Sequence, residues 1–208
     1  MSYERWRSLY ESQEWRSPDH DVREVSGLGV LLTAGHASAH VNRESGLTKA
    51  AEVGTGPLAI ALAEASGAAG LVLGRAVRAN PNHDEVGECS FKQRVLWLLS
   101  QQARVVLDLH GMRDEHGVDV CLGEGLDPGG RIGRIAVSAF EEVGLRVVCN
   151  DPFDARRSGT VTRSVQEAGG DALQIEIARS LRGVEYDEKR ERFFEALCGL
   201  ANSLGAGG

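Results

Sequence analysis

The sequence lacks any long apolar segment of the kind that directs a chain to a membrane. Residues 1–20 contain no apolar core of a secretory signal, and no later run approaches the roughly 20 apolar residues that a membrane helix needs. The 208 residues have ordinary globular composition, with 42% hydrophobic and 25% charged residues. We expect a soluble, cytoplasmic protein with a single domain over residues 1–208, in which 1–25 form an N-terminal extension and 205–208 a flexible tail.

Cysteine is also scarce, and its pattern excludes a disulfide framework. The four cysteines lie far apart and form no CxxC pair. In a chain of this size such residues are typical of buried thiols. Nothing in the local sequence favours a cysteine nucleophile. The four residues are Cys89, Cys121, Cys149 and Cys198.

Several enzyme signatures are missing as well. The sequence contains no GxSxG elbow, no GxGxxG after its first predicted strand and no GxxxxGK[ST] loop, so neither a serine hydrolase of that type nor nucleotide binding is supported. The formal net charge of -7 argues against nucleic acid or an anionic membrane as the main partner. A small anionic substrate remains compatible with this charge, because a few arginines in a pocket can outweigh a diffuse acidic surface.

Short apolar runs alternate with amphipathic stretches along the chain. The runs are rich in aliphatic residues and are bounded by Gly, Asn, Asp or Pro, which is typical of buried strands. This alternation predicts a three-layer α/β sandwich with a mostly parallel or mixed central sheet. The predicted strands are Gly29–Thr33, Gly70–Leu73, Arg104–Leu109, Val118–Leu122, Leu145–Cys149 and Ala172–Ala178, and the predicted helices are Pro57–Ala65, Phe91–Gln102, Gly130–Val143 and Glu188–Leu204.

Polar side chains stand at the ends of four predicted strands. His36 follows the first, Asp108 and His110 close the third, and Asn150-Asp151 follow the fifth. In the last strand Gln174 and Glu176 share the face opposite to their apolar neighbours, because side chains alternate with a period of two. Ligands of open α/β sheets bind beyond the carboxyl ends of the strands, so we expect function at this edge.

Two histidines at strand ends favour a metal site. Asp108 lies on the same face as His110 and would orient its imidazole, and Gly111 would leave room beside the ring. A catalytic zinc ion usually takes three protein ligands, so two histidines require a carboxylate. The compact HxxE spacing is absent, which leaves Glu44 and Glu52. We favour Glu52, because it precedes a Gly-Thr-Gly-Pro turn that starts a helix and would hold it in place.

Glu176 is the candidate catalytic residue. A glutamate on the polar face of an otherwise apolar strand is either paired with an arginine, here Arg179 or Arg163, or acts as a general base with a raised pKa. As a base beside a metal ion it would take a proton from water and pass it to the leaving amine.

Arginines crowd two loops and are candidates for holding a substrate carboxylate, since a guanidinium binds a carboxylate through two hydrogen bonds. Most arginines only solvate a surface, so we expect no more than two of them to do so. Asn80 and Asp84 are weaker polar candidates, and His83 in the same loop is expected to be exposed. The arginines are Arg75, Arg78, Arg156, Arg157 and Arg163.

The order of these motifs resembles that of the N-formylglutamate amidohydrolase family and of the related poly-γ-glutamate hydrolases, which share a zinc-carboxypeptidase-like α/β fold. The resemblance extends from about Leu31 to Arg182. It rests on Gly35-His36, KAAEVGTGPLAIALA, VVLDLHGM, VCNDPFDARRSGTVTRSV and ALQIEIARSLR.

The resemblance implies one zinc ion held by His36, Glu52 and His110, with Glu176 as the catalytic residue. It also implies that Arg163 or Arg157 holds the substrate carboxylate. The sequence departs from the family in two places: Pro-His-x-Gly is here Ala-Gly-His-Ala-Ser, and Asp-x-Asn-Arg is reduced to Arg78-Ala79-Asn80-Pro81. The resemblance therefore supports the metal ligands more strongly than the substrate contacts. We assign the substrate contacts to Arg163, Arg157, Arg78 and Asn80.

The hypothesis from the sequence is a zinc-dependent amidohydrolase that cleaves an N-acyl amino acid such as N-formylglutamate. Two alternatives stay open. One is a γ-glutamyl or peptide hydrolase of the same fold, which would need a long open groove. The other is a binding domain that keeps the fold without catalysis and would bind no metal at His36 and His110. The sequence does not specify the oligomeric state.

Overall fold

The coordinates are a computed structural model that describes residues 3–17, 20–41, 46–183, 185 and 187–206. Six α-helices in these ranges are α1 (Tyr3–Ser12), α2 (Thr55–Ser66), α3 (Ser90–Gln101), α4 (Arg131–Glu141), α5 (Val161–Glu167) and α6 (Glu188–Ala206). The strands are β1 (Val22–Val25), β2 (Gly29–Ala34), β3 (His40–Val41), β4 (Thr48–Lys49), β5 (Ala69–Leu73), β6 (Ala103–Met112), β7 (Val120–Gly123), β8 (Val147–Cys149) and β9 (Asp171–Ala178).

Seven strands form one mixed sheet in the order β1-β5-β2-β6-β9-β7-β8. The four central strands β5, β2, β6 and β9 are mutually parallel, whereas β1 and β7 run antiparallel to their inner neighbours and β8 runs parallel to β7. The carboxyl ends of the central strands therefore meet at one edge of the sheet. Strands β3 and β4 pair separately as a short hairpin. The predicted α/β class with a mixed central sheet is confirmed.

The two faces of the sheet are covered differently. One face is apolar throughout β2, β6 and β9 and is packed by α1, α2, α4 and α6, with Trp6, Phe140 and Phe193 almost fully buried in this core. The other face is apolar only in its amino-terminal half, where α3 and α5 cover residues such as Leu31 and Val106. The carboxyl-terminal half of that face is left for polar side chains.

The N-terminal segment contributes to the core instead of extending from it. Trp6 has no exposed surface and stacks on Phe194 of α6, with ring centroids 6.1 Å apart. Strand β1 pairs along its length with β5. The predicted flexible tail begins inside α6, which continues to Ala206, and residues 207–208 lie outside the described part of the chain. None of the described helices is both long and apolar enough to cross a membrane.

Candidate metal centre and active site

The site lies on the polar half of one sheet face, as the alternation of side chains dictates. Along β6 the apolar Val106 is followed on the same face by Asp108 and His110. Backbone pairing places Gln174 beside Asp108 and Glu176 beside His110. All four polar side chains are buried. Their alignment explains why one strand can be apolar in sequence and still end in reactive groups.

One carboxylate joins the two strand-end histidines. Nδ1 of His36 lies 3.0 Å from Oε1 of Glu52, and Nδ1 of His110 lies 3.1 Å from Oε2 of the same side chain. The two imidazole centroids are 4.8 Å apart and their planes are nearly perpendicular, at 84°. One nitrogen or oxygen atom from each of the three residues lies within 4.8 Å of the others, which is the donor set of a catalytic zinc site.

Local hydrogen bonds fix Glu52, although it stands in a loop. Its backbone N–H donates to the carbonyl of His36 at 2.9 Å, and its own carbonyl accepts from the hydroxyl of Thr55 at 2.8 Å. Its Oε2 atom also accepts from the backbone N–H of Gly111 at 3.0 Å. The turn before α2 therefore holds the carboxylate as expected from the Gly-Thr-Gly-Pro sequence. The alternative ligand, Glu44, lies outside the described residues.

Hydrogen bonds on the far side of each ring direct Nδ1 toward the carboxylate of Glu52. Nε2 of His36 lies 3.1 Å from Oδ1 of Asn80, an atom that also accepts from the backbone of Asn82 and must therefore be the amide oxygen. Nε2 of His110 lies 3.0 Å from Asp108, whose other oxygen accepts from Thr33 at 2.7 Å. Acceptors at both Nε2 atoms favour the ring proton there, which leaves the Nδ1 lone pairs for a cation. At His110 the amide nitrogen of Asn82, 3.1 Å from Nε2, competes as a donor.

The electrostatics of the three groups are those of a site for positive charge. Burial alone would raise the pKa of Glu52, but the charges of His110 and His36 outweigh it and hold that pKa well below its usual range. Burial lowers the pKa of His110, yet Asp108 and Glu52 together raise it well above its usual range. Two carboxylates around one imidazole thus attract a cation, whether a proton or a metal ion.

Glu176 faces the same cavity from β9. Burial raises its pKa to about 7, against the opposing charge of His110. Its Oε1 atom accepts a hydrogen bond from Nε2 of Gln174 at 3.0 Å. In the described part of the chain it forms no ion pair with Arg179 or Arg163, so the geometry favours the general-base interpretation over a structural salt bridge.

A cavity of about 590 Å³ opens in front of these groups. Its rim carries two exposed guanidinium groups, Arg113 and Arg157, and Lys49, whose ammonium lies 3.6 Å from Glu52. Residues 152–160 form much of one wall, and half-buried His83 meets Arg157 across the opening at 3.4 Å. The carboxylates of Glu115 and Asp154 also line the opening, so the cavity combines a buried acidic and histidine-rich floor with a rim of mixed charge that contains three cations.

The predicted substrate contacts do not all lie at this cavity. Arg157 lines it, whereas Arg163 is turned away into an ion pair with Glu167 at 2.7 Å and a hydrogen bond to the carbonyl of Arg156. Arg78 is exposed and is not among the lining residues. Asn80 is buried behind His36, where it orients the ring.

Sequence reasoning missed part of the site and misplaced another part. The expectation that Asn150-Asp151 join the site edge is wrong, because β8 runs opposite to β9 and Asn150 instead binds Glu124 through its side chain at 2.6 Å. Asn82, which lines the cavity and lies 3.1 Å from Nε2 of His110, was not identified. Arg113 was missed as well, because a single arginine after DLHGM carries no distinguishing pattern.

Solved structures similar to this chain share its architecture. A bacteriophage poly-gamma-glutamate hydrolase superposes with a TM-score of 0.59 at 17% identity, over 96% of this chain and 94% of that one. An N-formylglutamate amidohydrolase from Ralstonia eutropha JMP134 superposes with a TM-score of 0.56 at 15% identity, over 89% of this chain and 97% of that one. A metallo-carboxypeptidase from Burkholderia cenocepacia superposes with a TM-score of 0.54 at 11% identity, over 95% of this chain and 67% of that one. These likenesses place the fold in the zinc-carboxypeptidase-like class.

A family model adds a match in sequence. The model of N-formylglutamate amidohydrolase matches residues 93–182, a segment that includes His110 and Glu176 but not His36 or Glu52. The resemblance inferred from the sequence motifs is thereby confirmed, and the match supports amidohydrolase activity. No curated protein sequence matches this chain.

Proposed function

We propose that this chain is a zinc-dependent amidohydrolase that cleaves the amide bond of a small N-acyl amino acid such as N-formylglutamate. The observation that carries the proposal is the approach of two histidine Nδ1 atoms to the two oxygens of a single buried carboxylate, Glu52, beside a buried Glu176. The family match supports the reaction class, and the substrate rests on the chemistry of the cavity.

The donor set fits zinc. His36, Glu52 and His110 offer two nitrogens and one oxygen, and the ion prefers such ligands in catalytic sites that leave a position open. Asn80 and Asp108 hold the two rings in the tautomer that metal binding needs. When bound, the ion would supply Lewis acidity, polarising the substrate carbonyl and lowering the pKa of water.

Glu176 is the proposed general base. Its carboxylate is buried beside the histidines and carries a pKa of about 7, so it can both accept and return a proton near neutral pH. We assign it the removal of a proton from the attacking water and the delivery of that proton to the leaving amine nitrogen. The hydrogen bond from Gln174 holds the carboxylate in place for both transfers.

The rim of the cavity is the proposed binding site for the substrate carboxylate. Arg157 and Arg113 stand at the opening and present guanidinium groups that match a carboxylate through two hydrogen bonds. The 590 Å³ of the cavity suits an amino acid with a small acyl group. Arg163 remains a weaker candidate for this contact, since it is not among the residues that line the cavity.

Metal analysis of the purified protein tests the proposal most directly. We expect one zinc ion per chain in the wild type and less than a tenth of that in His110→Ala, because one of three ligands is lost. His20→Ala is the matched control, because His20 is exposed and distant in sequence from every proposed ligand. A wild type without stoichiometric metal, or a His110→Ala protein with a full complement, would contradict the ligand set.

A substrate panel then separates the proposed reaction from that of a γ-glutamyl hydrolase. N-formyl, N-acetyl and N-succinyl amino acids and a γ-glutamyl dipeptide would be assayed for release of free amine with the zinc-loaded protein. Turnover of N-acyl glutamate at the highest kcat/KM supports the proposal. Preference for the dipeptide, or release from none of them, would overturn the assignment of substrate.

A further inference from the structure

Arg182 is a buried arginine at the end of the short helix that follows the last strand, and it lies behind the proposed metal site. The 3-10 helix Arg179–Arg182 turns the chain back beneath the sheet edge after β9. The guanidinium donates through Nε to the carbonyl of Ile177 at 3.0 Å, through Nη2 to that of Met112 at 3.1 Å and through Nη1 to that of Val53. One side chain therefore joins three separate segments of backbone.

Each of these three carbonyls lies next to a residue of the proposed site. Val53 directly follows Glu52, Ile177 directly follows Glu176, and Met112 stands two residues after His110. The guanidinium is not among the groups that line the cavity, so it cannot touch a substrate there. Its donors hold the loop of Glu52 against β6, which carries His110, and against β9, which carries Glu176.

The sequence makes room for this arginine with two glycines. A Cβ atom at Gly111 would lie 2.4 Å from the guanidinium carbon, and one at Gly54 would lie 2.5 Å from the backbone oxygen of Arg182. The expectation that Gly111 leaves space beside the histidine ring is therefore corrected, because the space is taken by Arg182. The glycines of both motifs, E-x-G-T and D-L-H-G, are needed for the same contact.

We propose that Arg182 is a positioning residue that sets the relative placement of Glu52, His110 and Glu176 by bridging the backbone carbonyls of Val53, Met112 and Ile177. The planar guanidinium is suited to this task, because its donors diverge in a fixed geometry that a lysine ammonium cannot reproduce. The metal-affinity test below rests on the proposed metal centre, and the amide-exchange test does not.

The first test is zinc affinity, measured by chelator competition on Arg182→Met, Arg182→Lys and wild type. Loss of a group that orients metal ligands typically weakens binding about 10- to 100-fold. We expect a loss in that range for Arg182→Met and a smaller loss for Arg182→Lys, which can restore one of the three hydrogen bonds. Arg94→Met is the control for the substitution, because the Arg94 guanidinium pairs with Glu24 of the edge strand β1.

The second test uses the metal-free protein and needs no activity. The backbone N–H of Gly111 donates to Glu52, so its hydrogen exchange reports how often the contact between the Glu52 loop and β6 opens. In both Arg182 variants we expect this amide to exchange at least about tenfold faster relative to the β6 ladder amides of Val106 and Leu107. Arg94→Met should leave that ratio unchanged.

The outcomes separate positioning from simple stability. Should Arg182→Met fail to fold, Arg182→Lys provides the same two measurements. Wild-type zinc affinity and a wild-type exchange ratio at Gly111 in a folded variant, even one with a lower Tm, would overturn the proposal. A wild-type protein that binds no zinc would contradict the metal centre, and the exchange ratio alone would then decide the role of Arg182.

Discussion

The floor and the rim of the cavity are built in opposite ways. His110 and Glu176 on the floor are fixed by regular strands, are at most 6% exposed, and have partners that define their orientation. Arg113 and Arg157 on the rim stand in loops and are exposed. Fixed, buried groups are what chemistry at a single point requires, whereas a rim can adapt to the part of a substrate that does not react.

This difference predicts that substitutions in the floor and in the rim will have different effects on metal binding and kinetics. Changes in the floor should alter metal binding or kcat by large factors, since buried charges interact strongly and cannot rearrange. Changes in the rim should alter KM by smaller factors, because exposed side chains are screened by water and can be replaced in part by their neighbours. The substitutions below test this contrast in order of decreasing effect.

Replacement of the proposed base should have the largest effect. Glu176→Gln keeps the volume and a hydrogen bond to Gln174 but cannot accept a proton, so we expect kcat to fall about 10²- to 10⁴-fold. Zinc content should stay at the wild-type level. Steady-state kinetics together with metal analysis check this result, and a variant with more than a tenth of wild-type kcat would remove Glu176 from the mechanism.

The pH profile provides an independent check on the same residue. Burial raises the pKa of Glu176 to about 7, and the base acts as the carboxylate, so activity should fall as pH decreases through the pKa. A bound divalent cation favours the ionised form, which moves this acidic limb to a pH at or below about 7. A profile of kcat/KM without an acidic limb between about pH 5 and 7 would contradict the assignment.

Removing the charge behind a proposed metal ligand should have a smaller but clear effect. Asp108 holds the Nε2–H of His110, and Asp108→Asn cancels the negative charge that favours this tautomer. We expect zinc affinity to drop about 10- to 100-fold, as measured by chelator competition. Thr33→Val is the matched comparison, because it removes only the hydroxyl bonded to Asp108 and should have a weaker effect. Equal affinities in all three proteins would show that the orientation of His110 does not limit binding.

The floor of the site could be predicted from the sequence because it lies on strands. Apolar runs ending in Asp108-Leu109-His110 or containing Gln174 and Glu176 specify both the element and the face of each side chain, through a period of two. Parallel strands then bring their carboxyl ends together without further information. The role of Glu52 could be predicted for a related reason, since the turn and the helix start that follow it restrict its position.

The rest depends on contacts that no local pattern encodes. The direction of β8 in the sheet decides whether Asn150 reaches the site. An apolar run predicts a strand but not its direction relative to its neighbours. Arg157 and Arg163 are close in sequence, and only the fold separates them, since Arg157 stands in a loop at the cavity whereas Arg163 lies in α5 and pairs with Glu167. Arg182 was not recognised because its three acceptors are backbone carbonyls from three distant segments.

The rim arginines offer the most direct comparison between similar residues. Arg157 lines the cavity and Arg163 does not, so Arg157→Ala should raise KM for an N-acyl amino acid more than Arg163→Ala does. A hydrogen bond to a charged group contributes about 1.5–3 kcal/mol, which corresponds to a rise in KM of roughly tenfold or more. kcat should change little. The opposite order of the two KM values would return the substrate contact to Arg163.

The smallest expected effect lies outside the site, where Asp119 joins α6 to the sheet. Its carboxylate accepts from the backbone of Arg146 at 2.9 Å and from the Lys189 ammonium at 2.7 Å. Burial would raise the pKa of Asp119, but these two partners outweigh it and lower the pKa below its usual range. Such a carboxylate stabilises the fold above its unfolded pKa of about 3.9, and this contribution is lost as pH falls through the lower folded value.

Asp119→Asn should therefore destabilise the protein by about 1 kcal/mol at pH 7, since the Lys189 ammonium is partly exposed and screened by water. The difference between variant and wild type should shrink as pH falls below about 4, because the wild-type carboxylate is then protonated and the asparagine does not titrate. Denaturant unfolding at several pH values measures this difference. Because Asp119 is not among the residues that line the cavity, zinc affinity and kcat should remain at wild-type values. A change in either would show that the Asp119 side chain is coupled to the floor of the site through β7, which pairs with β9 beside Glu176.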